Sequence, residues 1–326
     1  MRLLAGSAMS LFVVNILDGL VTGLLLFMLC AGLTLIFSMM GVLNFAHASF
    51  YMLGAYFAWQ ISLYTGFWVG LVVAPIIVGV LGALVERYGL RRVHQYGHVP
   101  ELIFTFGLAL LIEKLVEFVW GRSQKAYRAP EALDFSAFAI AGNTFPAYKV
   151  FMVFVALAIF GVLLAILTRT RIGQIIQAAL SYPATVQNLG HNVPLIFMGV
   201  FGVGTAMAGL AGVIAGPVLG TFPGMALVLG SIVFVTIVIG GLGSLWGALV
   251  ASLLIGWVQT FATAYNVRLA DILTAIGIER PEDLGASAFR DLWTLTLPQI
   301  GPILPYLLMV VVLVFRPQGL FGKRET

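Results

Sequence analysis

The chain has 326 residues, 61% hydrophobic and 9% charged, with a formal net charge of +4 and a mean hydropathy of +1.05. Soluble domains carry roughly 25% charged residues, so this composition excludes a water-soluble globule and implies a polytopic, all-α membrane helix bundle. The small positive balance contains no polybasic run, which excludes a nucleic-acid patch and leaves the cations as membrane flanks.

Cys30 is the only cysteine, so neither an intrachain disulfide nor a cysteine-based metal site is expected. The first 20 residues lack the charged start and cleavage site of a signal peptide and read as the approach to a first membrane helix. No Asp, Glu, Lys or Arg occurs between Asp18 and Glu86, between Arg171 and Arg268, or between Asp291 and Arg316. At about 20 apolar residues per crossing, these runs hold up to three, three to four, and one crossing.

In chain order, a first helix is expected over Val13–Met40, with a weak break at Gly41–Asn44. A second follows from Ala46 to Tyr64 and a third from Phe67 to Val85, separated by Thr65–Gly66. Glu86–His98 reads as a loop carrying Arg87, Arg91 and Arg92. A fourth helix covers Glu101–Trp120. A polar segment, 121–148, precedes a fifth helix at Val150–Leu167. The segment 168–192 is amphipathic, with Ile172, Ile175, Ile176 and Ala179 at helical spacing. A sixth helix, Val193–Ala215, carries Gly204, Ala208 and Gly212 on one face, a pattern that lets helices approach closely in lipid. The seventh and eighth helices, Met225–Ile239 and Leu245–Phe261, flank the glycines of Gly240–Ser244. The segment 263–291 is polar and acidic, and a last helix spans Leu295–Phe315. This gives about eight to nine crossings in one domain over residues 1–326. The positive-inside rule favours the arginine loops as cytoplasmic and the N-terminus as outside.

The stretch GVLNFAHASFYMLGAY, Gly41–Tyr56, supports two readings. Asn44 caps the second helix and His47 makes one interhelical hydrogen bond. Alternatively, the helix breaks inside the membrane, so that Asn44, His47 and Ser49 line a cavity and a helix N-terminus faces a substrate carboxylate. A similar interruption, with Gly240, Gly241, Gly243 and Ser244, sits in the second half. Paired interruptions of this kind point to a midplane pathway, although a tight turn accounts for the second equally well. Glu113 and Glu117, four apart with Lys114 between them, read as an interfacial cluster rather than a proton relay. Trp59, Trp68 and Trp120 suit an aromatic belt. His94 and His98 fall in a loop with no sign of a metal site.

GLTLIFSMMGVLNFAHASFYMLGAY, 32–56, resembles the signature of the branched-chain amino acid permeases of ATP-binding-cassette transporters, the LivH type. RTRIGQIIQAALSYPATVQNLGHN resembles that family's cytoplasmic coupling segment. GTAMAGLAGVIAGP, IGGLGSLWGALVASLLIG and VLVFRPQGLFG resemble its later blocks. The resemblance implies a non-catalytic permease subunit in the bacterial inner membrane. Its implied partners are a homologous second permease of the LivM type, two cytoplasmic ATPases that hold ATP and Mg, and a periplasmic binding protein. A G-x-x-x-x-G-K-[ST] phosphate loop does not occur in the chain, which fits that division of labour. The resemblance places coupling contacts at Gln174, Gln177, Ala178, Pro183, Ala184, Leu189 and Gly190. The chain departs from the family's pattern there, with no acid near Pro183–Ala184 and with His191 after the glycine. An ion-coupled secondary transporter is the competing reading, with His47 as its only mid-membrane ionisable group.

Overall fold

The computed structural model describes residues 2–41, 43–140, 143–275, 277 and 293–322. Its helices are α1 (Arg2–Met40), α2 (His47–Thr65), α3 (Phe67–Val85), α4 (Arg91–His94), α5 (His98–Trp120), α6 (Ala147–Arg169), α7 (Arg171–Ser181) and α8 (Pro183–Asn188). They continue as α9 (Val193–Leu219), α10 (Met225–Gly240), α11 (Leu245–Ala264), α12 (Leu269–Ala275), α13 (Leu297–Ile300) and α14 (Leu304–Phe315). Among the described residues, six helical stretches are long and apolar enough to cross a membrane: 11–38, 67–94, 147–169, 193–219, 245–264 and 297–315. The rods α2, α5 and α10 run beside them. The molecule is an all-α polytopic membrane bundle, as the composition required.

α9 is the central post, packing against α1, α2 and α3. Its small residues are what make this possible. A Cβ on Gly212 would lie 1.9 Å from the Tyr51 carbonyl oxygen, and one on Gly204 would lie 2.6 Å from the Ile36 side chain. Gly54 of α2 meets Gly209 of α9 backbone to backbone, with 2.2 Å left for a Cβ. Without a hydrophobic drive between helices in lipid, this close van der Waals contact supplies much of the cohesion. The small-residue face therefore packs as the spacing predicted.

Several boundaries differ from expectation. The loop read at Glu86–His98 is helical as far as His94: α3 passes through one π-turn, Glu86–Leu90, into α4. The reason is Glu86, which is buried at 1% exposure and accepts from Arg91 Nε and Nη2 at 3.0 and 2.6 Å. Two charges that satisfy each other do not need a loop. Arg91 Nη2 also donates to the Pro194 carbonyl at 2.6 Å, fastening this turn to the start of α9.

The polar segment 121–148 contains a small antiparallel hairpin, β1 (Ser136–Ile140) with β2 (Asn143–Pro146). Inside that segment, Lys125 bridges to Thr221 after α9, and the Tyr127 ring stacks on Phe67. Burial raises the Tyr127 phenol pKa above its ordinary value. The last helix is interrupted: α13 and a 3-10 turn, Gly301–Ile303, precede α14, because Pro298, Pro302 and Pro305 each remove a backbone donor. Of the acidic segment 263–291, residues 276 and 278–291 lie outside the described residues.

The two ends of the bundle are chemically distinct. One gathers Arg91, α7, α8 and the 241–244 turn. The other gathers the hairpin, Trp59 under Lys125, and Trp120, whose Nε1 donates to Gln60 at 3.1 Å.

Candidate functional site

The site begins where α1 stops. Gly41 has φ of +64°, and its amide closes the helix on Phe37 at 2.9 Å. Asn44 Oδ1 then accepts from the Ala46 amide at 3.0 Å, and the Asn44 carbonyl accepts from His47 N at 3.1 Å. This side-chain turn launches α2 from inside the bundle. His47 Nε2 lies 3.0 Å from the Leu29 carbonyl. Leu29 precedes the end of α1 by 11 residues (Met40 minus Leu29), or about 16 Å of helix. The helix break is present, and so is the expected interhelical hydrogen bond of His47; Asn44, expected to cap α2, instead bonds the Ala46 amide, and Ala46 is the N-cap with no side-chain cap.

Gly32 makes the fold-back possible. A Cβ there would sit 2.3 Å from the Gly204 carbonyl oxygen and 3.1 Å from the His47 ring. Since Leu29 O can only accept, Nε2 carries the proton when the ring is neutral, a tautomer inferred from the hydrogen bond. Nδ1 is then an acceptor with no partner, and Asn44 Nδ2 is a donor with none. Asn44, His47 and Ser49 are all buried, at 3%, 1% and 2% exposure. The Ser49 hydroxyl makes one long bond, 3.4 Å, to the Ala109 carbonyl.

These three residues line one cavity of about 370 Å³, within the range of small-molecule sites. Its apolar wall includes Phe106, Leu110, Leu227, Phe234 and Met309, and Glu113, Ser231 and Tyr306 add polar groups. The walls come from α1, α2, α5, α10 and α14. Buried polar atoms without partners are rare and costly. Asn44 Nδ2 and His47 Nδ1 are both packed beneath the cavity surface, beside the start of α2, and no protein group answers them.

The second interruption behaves otherwise. Gly240, Gly241, Gly243 and Ser244 do not line this cavity. Gly240 packs directly on Gly247, where a Cβ would meet backbone at 2.4 Å. Gly241 has φ of +96° and lies against Gly319 and Gly322. Leu320 and Phe321 donate to the Ile239 and Gly240 carbonyls at 2.8 and 3.0 Å, so the C-terminal segment closes α10. Ser244 Oγ accepts from Gly247 N at 3.0 Å and caps α11. This is the tight-turn alternative, with its backbone groups satisfied.

The amphipathic segment 168–192 forms two short helices, α7 and α8. Thr170 caps α7, its Oγ1 accepting from Gly173 N at 3.1 Å. Ala179, Val186 and Val193 are its buried anchors, with Ile175 and Phe197 packed on them. Ile172, placed with the apolar stripe by spacing, is instead 64% exposed. Gln174, Ala178, Ala184, Leu189 and Gly190 are all exposed, and Tyr182 and Leu189 present large apolar surface. Gln177 is exposed too, but it donates to the Leu167 carbonyl at 3.0 Å. Pro183 opens α8 at its first position.

Spacing alone missed two residues. Glu117 does hold Lys114 and Arg122, at 2.7 and 3.3 Å, as the interfacial cluster required. Glu113 meets Lys114 only at 3.5 Å and also lines the cavity, one turn after Ala109 on α5. Glu101, buried at 2% exposure, accepts from His94 and, at 3.4 Å, from His98. Both histidines thus serve a carboxylate.

A half-open cavity at a broken helix, in a bundle of apolar rods, is the architecture of a multi-pass membrane protein. Residues 15–313 match the family described as "Branched-chain amino acid transport system / permease component", and the chain belongs to that family of inner-membrane permeases. It is 26% identical to the high-affinity branched-chain amino acid transport system permease protein BraD of Pseudomonas aeruginosa, covering 95% of this chain and 96% of that one. It is 23% identical to the LivH permease of Escherichia coli K12, with 96% of each chain covered. A probable LivH of Methanocaldococcus jannaschii is 24% identical over 91% of this chain and 89% of its own. No solved structure matches.

Proposed function

We propose that the chain is the permease subunit of an ATP-driven importer for branched-chain or similar aliphatic amino acids. The observation that carries this reading is the cavity at the start of α2, where Asn44, His47 and Ser49 form the polar edge of an otherwise apolar wall. That combination suits a small amphipathic solute. In this reading the chain performs no chemistry. ATP and Mg are held by two cytoplasmic ATPases, and a LivM-type second permease completes the pathway. A periplasmic binding protein delivers the substrate to the end bearing the β1–β2 hairpin. The exposed surface of α7, α8 and the turn after them, with Gln174, Ala178, Ala184, Leu189 and Gly190, receives the ATPases, as an amphipathic helix enters a groove, and Pro183 opens α8 within it. Gly240, Gly241, Gly243 and Ser244 lie outside the cavity and hold the joint between α10 and α11.

The test is uptake of leucine into vesicles holding the full assembly. The expected outcome is accumulation that requires ATP and persists without an ion gradient. Accumulation that ignores ATP and follows a proton or sodium gradient would establish the ion-coupled alternative, with buried His47 as its titrating group.

A further inference from the structure

α5 borders two spaces. Ala109, Leu110 and Glu113 face the cavity already described. Phe104, Leu108, Ile112 and Val116, four apart along the helix, line a separate groove of about 690 Å³ whose other walls are α2 and α3. The groove runs from Tyr88 and Phe104 at one end to Trp120 at the other. Phe104 to Trp120 is 16 residue steps (120 minus 104), about 24 Å of helix and most of a hydrocarbon layer roughly 30 Å thick. Leu84 and Leu115 line it and are 44% and 51% exposed, so it opens sideways, toward lipid.

The two ends differ in charge. At the Trp120 end the cations are answered: Lys125 Nζ donates to the Trp120 carbonyl, and Lys114 and Arg122 pair with Glu117. At the Tyr88 end Glu86 takes Arg91, and Glu101 takes His94 and His98. Arg87 and Arg92 are exposed and pair with no carboxylate among the described residues. The Arg87 guanidinium carbon lies 5.4 Å from the centre of the Tyr88 ring, and that ring lines the groove; Arg92 follows Tyr88 by one turn. Arg87 also follows Phe67, the start of α3, by 20 residues (87 minus 67), about 30 Å of helix. That length carries it across the hydrocarbon to the headgroup level. An apolar slot with two unanswered cations at its interfacial mouth is complementary to a hydrocarbon chain joined to an anionic head. An apolar helix of another protein matches the slot but leaves the arginines unmet.

We propose that this groove binds an anionic phospholipid, with an acyl chain between α3 and α5 and the phosphate of the headgroup on Arg87 and Arg92. The chain supports α5 on the face away from Leu110 and Glu113, so the lipid helps to hold the cavity wall in place. The proposal goes beyond the permease reading and holds whichever solute the cavity takes.

The experiment places the full-length protein, in its assembly, in nanodiscs of phosphatidylcholine with a trace of phosphatidylglycerol that carries a photoactivatable group on one acyl chain. After illumination, peptide mass spectrometry locates the adducts. They are expected in residues 81–89 and 104–120, well above those from phosphatidylcholine bearing the same group. Arg87→Gln and Arg92→Gln are each expected to lower the yield about fivefold, the scale of one surface cation acting on an anionic lipid, whereas Arg87→Lys and Arg92→Lys keep most of it. Leu108→Trp fills the groove and is expected to abolish labelling with both arginines in place. If that variant does not assemble, the arginine variants decide, because both side chains are exposed. Equal labelling by the two lipids, or labelling indifferent to both Arg→Gln changes, overturns the proposal. So does the absence of lipid adducts from the groove, including the case in which a photoreactive residue at Leu115 cross-links to another subunit instead.

Discussion

The interruptions at 41–46 and 240–244 look alike as sequence and differ as structure. Each places glycine and a polar side chain between two apolar rods, Gly41 with Asn44 in the first and Gly240, Gly241 and Gly243 with Ser244 in the second. In the first, the chain folds back about 16 Å into the bundle and leaves Asn44 Nδ2 and His47 Nδ1 buried and unpartnered, in residues that border the cavity. In the second, Ser244 caps α11 and the 318–322 segment closes α10. Glycine breaks a helix in both places; only the first leaves buried polar groups without partners. An interruption whose polar groups are all answered is a joint, and its residues act on stability first.

The largest expected effect follows from the joint. Gly240→Val puts side-chain atoms into the Gly247 backbone, where 2.4 Å is available to the first of them. Neither partner is a flexible side chain, so the helix ends must separate. The expected cost is about 3 kcal/mol, the upper end of ordinary overpacking. Thermal unfolding of the purified assembly checks it. A variant as stable as wild type would remove the joint from the account.

Much of this was legible in advance, because charge-free runs and small-residue spacing are local signals. The spans, the break after Met40 and the α9 contact face all follow from them. What was not legible depends on partners distant in sequence. Glu86 and Arg91 predicted a loop because charge ordinarily marks an end; their mutual pairing, five apart, falls outside α-helical spacing and carries the helix through a π-turn. The C-terminal Gly319–Gly322 strap on Gly241 joins two blocks about 80 residues apart, a pairing no periodicity encodes. Glu113 and Glu117 share a helix face by spacing, yet Lys114 and Arg122 both turn to Glu117, which separates their roles. The hairpin 136–146 lacked strong strand alternation and was hidden within a polar stretch.

A smaller effect on stability, with a larger one on transport, is expected at the open break. His47→Leu removes the Nε2–Leu29 hydrogen bond, a loss of about 1 kcal/mol, and also removes an unpartnered acceptor, which offsets part of it. Uptake should fall by about tenfold although the assembly remains folded. Unfolding and uptake measured on the same preparation separate the two. A stability loss with unchanged uptake would make His47 a packing residue and weaken the distinction between the breaks.

The smallest expected effects give the sharpest comparison, because one chemical change can be made in both places. Ser244→Ala deletes an N-cap that accepts from Gly247 N at 3.0 Å, which costs about 1 kcal/mol. Ser49→Ala deletes a hydroxyl whose one bond, to Ala109 O, is 3.4 Å long; a bond at that length contributes at most a few tenths of a kcal/mol. Stability therefore ranks Ser244→Ala as the more damaging change. Transport should rank them in reverse, since Ser49 lines the cavity and Ser244 does not: uptake by Ser49→Ala falls severalfold, while Ser244→Ala at a permissive temperature keeps the wild-type rate. Crossed rankings of this kind cannot arise from misfolding, which moves stability and uptake together. If the two variants rank the same way in both measurements, the breaks are one kind of feature, and the unpartnered groups at Asn44 and His47 carry no functional meaning.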